Sequence, residues 1–365
     1  MKTLCKNTVK KNIEKIALYD LDNNNIFGCS YIVCQNGKMV CKKHFGVSDW
    51  NKKTPVDDNT IFRLASMTKP ITAAAVLILI EKGIIKLDTK VKSILPKFEN
   101  IHIISETGID LGKPKNDVTV MHLLTHTSGF GSLKSDSLDD EERKTINNTI
   151  DYFIKKGLDF EPFSREAYSA YAAFDVLAAI VEAVTSEDYE EFLTKEVFMP
   201  CRMKNTAFTP SREQWKRIID MHDNTGGENR VKNMPEGCVF ETFPATHKLA
   251  GAGLVSTLED YSNFAEALLN KVKENKTFAM LAKPYKPIGD PTFNQSWGLG
   301  VRVVTKDTYP YLPVGSYGWS GAYGSHFWCD PHNNITAVYM KNSKIDGGAG
   351  NQSAQRFEKA VYDSF

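Results

Sequence analysis

Between residues 71 and 80 the chain is apolar at every position except Thr72, a pattern that predicts a helix buried on most of its sides rather than an amphipathic surface helix. The run is too short to cross a bilayer, which takes about twenty such residues. Pro70 is compatible with this helix only in the first turn, where its missing N–H costs nothing. Ser66 therefore falls at or just before the helix start, and Lys69 in its first turn.

Residues 9–20 read as a first helix with Ile13, Ile16 and Leu18 as apolar positions. The runs 26–33 and 38–45 are β-branched and aromatic and flank Gln35-Asn36-Gly37, a strong hairpin signal. From about residue 88 to 245 helix and turn signals dominate: a short helix within 117–129 stopped by Gly129, then helices over 172–184 and 189–198. Strand signals return at 297–304, 317–329 and 335–341. Thr257-Leu258-Glu259-Asp260 reads as a capping box opening a helix through Leu269, and a last helix covers 354–362. The polar stretch 131–160, with Asp139, Asp140, Glu141 and Glu142, reads as a solvated loop or lid with a surface helix, and 220–246 as a loop lining a substrate cleft. The expected architecture is an α/β domain from residues 1–90 and 246–365, its antiparallel sheet flanked by helices, with a mainly helical domain of residues 91–245 inserted. The active site is expected at their junction.

Composition narrows the function. The 365 residues are 42% hydrophobic and 24% charged, ordinary for a globular chain with a substantial core. Lys plus Arg number 45 against 44 Asp plus Glu, and no long basic run exists, so neither nucleic acid nor a membrane surface is an expected partner. The first residues contain no apolar stretch of signal-peptide type, and the seven cysteines form no C-x-x-C pair. They read as reduced packing cysteines of a cytoplasmic protein.

Ser66-Met67-Thr68-Lys69 is the only Ser-x-x-Lys in the chain. Residues three apart on a helix share a face, so the hydroxyl and the amine can touch. A serine becomes nucleophilic when a neighbour takes its proton, and a lysine whose charge burial disfavours can do so. The helix N-terminus adds backbone N–H groups for an oxyanion. His122 and His126 have a metal-ligand spacing without an acidic residue between them, and are read as structural. Gly251 and Gly253 lack the third glycine and the preceding strand of a dinucleotide loop. No metal and no cofactor is expected. The absence of Gly-x-Ser-x-Gly argues against an α/β-hydrolase.

Three stretches follow in order: Ser66-Met67-Thr68-Lys69, Tyr168-Ser169-Ala170 and Trp319-Ser320-Gly321. With Thr125-His126-Thr127-Ser128-Gly129 and Ala250-Gly251-Ala252-Gly253-Leu254-Val255-Ser256-Thr257, they resemble the serine β-lactamase and penicillin-binding protein superfamily, above all class C β-lactamases and family VIII carboxylesterases. The resemblance runs from about residue 20 to 345 and implies the β-lactamase/D,D-peptidase fold. It makes Ser66 the acylated nucleophile, with Lys69 and Tyr168 as its catalytic partners. It assigns the oxyanion hole to the backbone N–H groups of Ser66 and Ala322, and substrate contacts to Trp319, Ser320 and Gly321. Tyr261-Ser262-Asn263 matches the second motif literally, but Tyr168 precedes an apolar helix as the family's tyrosine does.

The departures are informative. Ala170 replaces the asparagine of Tyr-x-Asn, and Trp319 the lysine of Lys-Thr-Gly, so contacts for the amide and carboxylate of a β-lactam are missing, while Trp-x-Gly is a pattern of the esterases. The expected function is a metal-independent serine hydrolase that cleaves small carboxylic esters through an acyl-Ser66 intermediate. A D-amino-acid peptidase or β-lactamase acting on amides or β-lactams, and an acylated sensor without turnover, remain alternatives. Were Lys69 charged at about 4 Å from the phenol, it would contribute roughly 4 kcal/mol at an effective dielectric of 20 and bring Tyr168 close to 7. Lys69 and Tyr168 then form one coupled proton-accepting unit.

Overall fold

A computed structural model describes residues 2–23, 25–131, 145–223, 230–232, 248–288, 294–306 and 311–365. The strands are β1 (Gly28–Gln35), β2 (Lys38–Asp49), β3 (Thr54–Pro55), β4 (Ile61–Arg63), β5 (Met221–Asp223), β6 (Arg230–Lys232), β7 (Val255–Thr257), β8 (Lys286–Pro287), β9 (Gln295–Trp297), β10 (Arg302–Val304), β11 (Tyr317–Ser320), β12 (His326–Asp330) and β13 (Ile335–Lys341). The helices are α1 (Lys6–Asp22), α2 (Lys69–Glu81), α3 (Val120–Leu124), α4 (Ile146–Lys156), α5 (Ala172–Thr185), α6 (Tyr189–Leu193), α7 (Arg212–Trp215), α8 (Leu258–Glu274), α9 (Lys276–Ala279) and α10 (Gln352–Tyr362). Much of the acidic stretch 131–160 and of the loop 220–246 lies outside the described residues.

Nine strands form one antiparallel sheet in the order β3-β2-β1-β13-β12-β11-β10-β9-β8. The first and last parts of the chain thus meet at the β1/β13 pair, where Tyr31 faces Tyr339. Asn36 and Gly37 both take positive φ, 54° and 69°, as the two-residue turn between β1 and β2 requires. Two of the expected strands are each interrupted by a turn. Residues 297–304 break at Gly298 to Val301, where the Gly298 N–H meets the Val301 carbonyl at 2.9 Å. Residues 317–329 break at Gly321, whose N–H meets the Ser325 carbonyl at 2.8 Å. Glycine in an apolar run marks the corner that hydropathy conceals.

The sheet has two covered faces. On one, Val9, Ile13 and Ala17 of α1 and Phe357 and Val361 of α10 pack on Tyr31, Trp328 and Tyr339. On the other lies the larger core, in which α8 packs on β1, β12 and β13 and α2 and α5 pack on each other, with Val76, Ile180, Phe264 and Phe327 among its residues. Helix α2 is apolar on all sides and buried from Lys69 to Leu77, as its composition requires. The Thr257 hydroxyl caps α8 by accepting from the Asp260 N–H at 3.2 Å. The carboxylate of Asp260 turns instead to Asn205 and Thr206, so the cap lacks the reciprocal half of a box.

Candidate active site

The segment before α2 is built to present Ser66. β4 pairs with β7, Phe62 opposite Ser256, and the chain then leaves the ladder through Ala65, a non-glycine residue held at φ 45°. Such a conformation is unfavourable and persists only where the surroundings dictate it. Here the Leu64 N–H donates to the Leu254 carbonyl at 2.9 Å. The Thr68 hydroxyl accepts from the Leu254 N–H at 3.2 Å, and the Tyr261 hydroxyl donates to the Met67 carbonyl at 2.8 Å. Residues Ala65–Thr68 form a single 3-10 turn, and α2 begins at Lys69 with Pro70 in its first turn. The decoy tyrosine, Tyr261, is thus a strut beneath the nucleophile's turn.

Around Ser66 the structure gathers Lys69 from three residues on and Tyr168 from 102 residues on. The Tyr168 hydroxyl donates to Ser66 Oγ at 2.7 Å, Lys69 Nζ lies 3.4 Å from the same oxygen, and the Trp319 indole N–H donates to the Tyr168 oxygen at 3.3 Å. Lys69 is completely buried. Its Nζ donates to the carbonyls of Ala170 at 2.7 Å and Gly251 at 2.8 Å. A neutral amine has two N–H donors, so these carbonyls use both and leave the lone pair for the third neighbour, Ser66 Oγ. Gly251 is required at this distance, because a Cβ there would stand 2.6 Å from the Ala170 carbonyl oxygen and 3.2 Å from Lys69 Nζ.

The charge states differ from those the sequence suggests. Burial pushes Lys69 down to about 7 and outweighs the opposing charge of Asp175. Burial also pushes Tyr168 up to about 12, against the lowering effect of its hydrogen bonds to Ser66 and Trp319. The expectation of a phenol near 7 assumed a charged lysine, whereas burial brings Lys69 down to about 7, so a substantial fraction of it is neutral at neutral pH. Of the two arrangements with the same proton count, neutral lysine beside neutral tyrosine is therefore the one favoured.

The third motif divides between the two faces of β11. Trp319 faces the site and sits 5.6 Å from the Tyr168 ring, centroid to centroid. Ser320, expected among the substrate contacts, points the other way. It is 3% exposed, and its hydroxyl lies 2.8 Å from His326 Nδ1. The period of two along a strand puts neighbours on opposite faces, so only the backbone of Ser320 can serve the cleft. Gly321 packs against the Leu64 carbonyl, 2.4 Å from where its Cβ would stand. This brings the turn that carries Ala322 beside the chain leading into Ser66.

Several supporting residues carry weak sequence signals. Asp175 is one of two acids in the largely apolar α5, fully buried, and its carboxylate accepts from the Ala250 N–H at 2.8 Å. His126, at φ 57°, has its ring 4.7 Å from that of Tyr168 and 4.3 Å from that of Trp297. Its Nδ1 accepts from the Ser169 N–H at 3.0 Å, and burial keeps it well below the usual histidine range. It is a neutral wedge that supports the tyrosine. His122 lies on the other side of α3, where its ring accepts from the Thr119 N–H within the helix cap. Trp297 stacks on Tyr168 and donates to Glu166 Oε1 at 2.8 Å. Among the described residues no group of three or more His, Cys, Asp or Glu is placed to hold a metal ion, and no helix is long and apolar enough to cross a membrane. Cys29, Cys34, Cys41 and Cys329 are free and buried.

A serine on a strained turn at the head of a buried helix, beside a desolvated lysine and hydrogen-bonded to a tyrosine from a distant segment, is the arrangement of acyl-transfer proteins of the penicillin-recognising kind. The Beta-lactamase family matches residues 13–359 of the chain. The chain belongs to that family and is a serine hydrolase of the β-lactamase/penicillin-binding protein superfamily. Esterase EstB of Burkholderia gladioli is 28% identical, with 92% of this chain and 91% of that protein covered. Among solved structures, EstCE1, a hydrolase with promiscuous acyltransferase activity, superposes with a TM-score of 0.83 at 23% identity, covering 98% of this chain and 99% of that one. Unliganded simvastatin synthase (LovD) of Aspergillus terreus gives a TM-score of 0.80 at 18% identity, covering 97% and 98%. The two structural likenesses show that the fold is that of β-lactamases and D,D-peptidases.

Proposed function

We propose that the protein is a carboxylesterase that cleaves small esters through an acyl-Ser66 intermediate. The observation that carries this reading is Ser66 Oγ held 2.7 Å from the Tyr168 hydroxyl and 3.4 Å from Lys69 Nζ. As Ser66 attacks the ester carbonyl, its proton passes to the neutral Lys69 amine, and the carbonyl oxygen takes up negative charge against the backbone N–H groups of Ser66 and Ala322. Tyr168 delivers a proton to the departing alcohol and recovers one from the lysine. In deacylation the relay reverses: water attacks the acyl carbon and gives its proton to the pair, the bond to Ser66 Oγ breaks, and Lys69 returns a proton to Ser66.

The indole of Trp319 in place of a lysine ammonium supports an ester over a β-lactam, because an indole offers a carboxylate no charge. The likeness to Esterase EstB, at 28% identity over most of both chains, points the same way. A panel of p-nitrophenyl esters and penicillin, each followed by turnover and intact mass together, tests the reading. Turnover of short esters with a transient adduct on Ser66 is the expected result. A stable adduct without turnover would make the protein a sensor, and efficient penicillin hydrolysis would make it a β-lactamase.

A further inference from the structure

We propose that Lys341, at the end of β13 and making no contact with Ser66, Lys69 or Tyr168, is a positioning residue that holds the turn carrying the Ala322 N–H against the nucleophile. The inference rests on the acyl-Ser66 chemistry proposed above. Lys341 is completely buried. Its ammonium has three donors and finds three acceptors: the carbonyls of Ile345 at 3.3 Å and Asp346 at 3.0 Å, and the Ser353 hydroxyl at 3.2 Å. The Asp346 carboxylate, 3.9 Å away, supplies the opposite charge. A buried ammonium so enclosed is a rigid anchor, since any carbonyl that moves away leaves an N–H without a partner.

What the anchor holds is the loop from Ser343 to Gly348. The Asp346 carboxylate fastens this loop to the start of α10 through the N–H groups of Gln352 at 2.6 Å and Ser353 at 2.8 Å. The loop in turn holds the turn after β11 at two points. The Ser343 N–H donates to the Tyr323 carbonyl at 3.0 Å, and the Gly348 N–H donates to the Gly321 carbonyl at 3.1 Å. Those two carbonyls bracket Ala322. The lysine stem also packs directly on the turn: at Gly324, which has φ 87°, a Cβ would stand 1.9 Å from Lys341 Cε. On the opposite side the turn meets the nucleophile's own arm, where the Ser325 hydroxyl donates to the Leu64 carbonyl at 3.4 Å. The oxyanion turn is thus clasped between the strand that leads into Ser66 and a loop whose shape is set by one buried cation.

The experiment compares wild type with Lys341→Met, which keeps the buried stem and removes the donors. Readouts are backbone hydrogen exchange in 321–325, thermal midpoint, and kcat and KM on a short p-nitrophenyl ester. The expected result is faster exchange at 321–325 and kcat lower by about 10- to 100-fold, with KM within about threefold. The rising pH limb set by Lys69 should stay where it is, which a general loss of structure would not ensure. A folded variant with unchanged exchange at 321–325, or with faster exchange and kcat within about threefold of wild type, overturns the proposal. Should Lys341→Met fail to fold, Ser353→Ala removes a single acceptor and must move both readouts in the same direction; no movement overturns the proposal. If wild type neither turns over esters nor becomes acylated, the functional reading is what has failed. Exchange at 321–325 in the variant then decides by itself whether Lys341 holds the turn.

Discussion

Ser66 and Ser320 each sit within hydrogen-bonding distance of a titratable partner, on opposite sides of β11. Ser66 Oγ is 2.7 Å from the Tyr168 oxygen and 3.4 Å from Lys69 Nζ. Ser320 Oγ is 2.8 Å from His326 Nδ1, and His326 Nε2 is 3.0 Å from Glu358 Oε1, which also meets Arg302 at 3.3 Å. By residue type the second group is the more familiar, since serine, histidine and a carboxylate make up a well-known hydrolytic relay. Yet its three members are only 3%, 1% and 1% exposed, so no ester carbonyl can approach Ser320. Ser66 is half-buried, follows a residue forced to φ 45° and stands at the head of a buried helix.

The electrostatics differ as well. Glu358 is balanced by Arg302, a pairing that fixes charge in place and makes the group a strut between sheet and helix. Around Lys69 burial exceeds what Asp175 offsets, and the amine gives up its proton near neutrality. Beside Glu358 the counter-charge is in contact and the group is structural; around Lys69 it is partial, and with Ser66 within reach the amine is a base.

The sharpest way to break this contrast is Ser66→Ala. Turnover should fall by about 10⁴-fold or more and the ester-derived mass adduct should vanish; a surviving adduct would mean that another serine is the nucleophile. Next comes Tyr168→Phe, for which a loss of about 10²- to 10⁴-fold in kcat is expected, and near-normal turnover would remove Tyr168 from the mechanism. The pH profile sharpens the assignment of the base. Lys69 is competent only when neutral, and burial places it at about 7, so kcat/KM should rise through neutrality. Tyr168, pushed up to about 12, adds no falling limb below that. A decline in kcat/KM between pH 7 and about 10 would instead indicate a required ammonium, as in the phenolate arrangement. The smallest expected effect is that of Ser320→Ala. Turnover should stay within about threefold, while chemical denaturation shows a loss of about 1 to 3 kcal/mol, because the buried His326 nitrogen loses its partner. A large drop in kcat with stability intact would place Ser320 in the chemistry.

Much of the site could be read before any coordinates. The apolar run after Pro70 locates Ser66 and Lys69 on one helical turn, and the glycine after Asn36 pins the hairpin that starts the sheet. Trp319 could be placed because its motif keeps a glycine two positions on. What escaped depends on three dimensions. The direction of Ser320 is hidden inside an apolar run that turns out to be two strands and a corner. The proton balance between Lys69 and Tyr168 depends on desolvation, which no spacing encodes. Lys341 looks like an ordinary charged residue closing a strand, and only the returning loop at 343–348 reveals its burial. Tyr261 illustrates the opposite error, in which a literal motif match belongs to a residue that supports the backbone.

One feature of the second motif bears on how such an enzyme could diversify. Position 170 meets Lys69 through its carbonyl oxygen at 2.7 Å, so the amine's grip is indifferent to which side chain stands there. The family's asparagine and this protein's alanine can then be exchanged without unseating the proton acceptor. Substitutions at this position should therefore leave Lys69 seated, which an unshifted rising limb in the pH–rate profile would show.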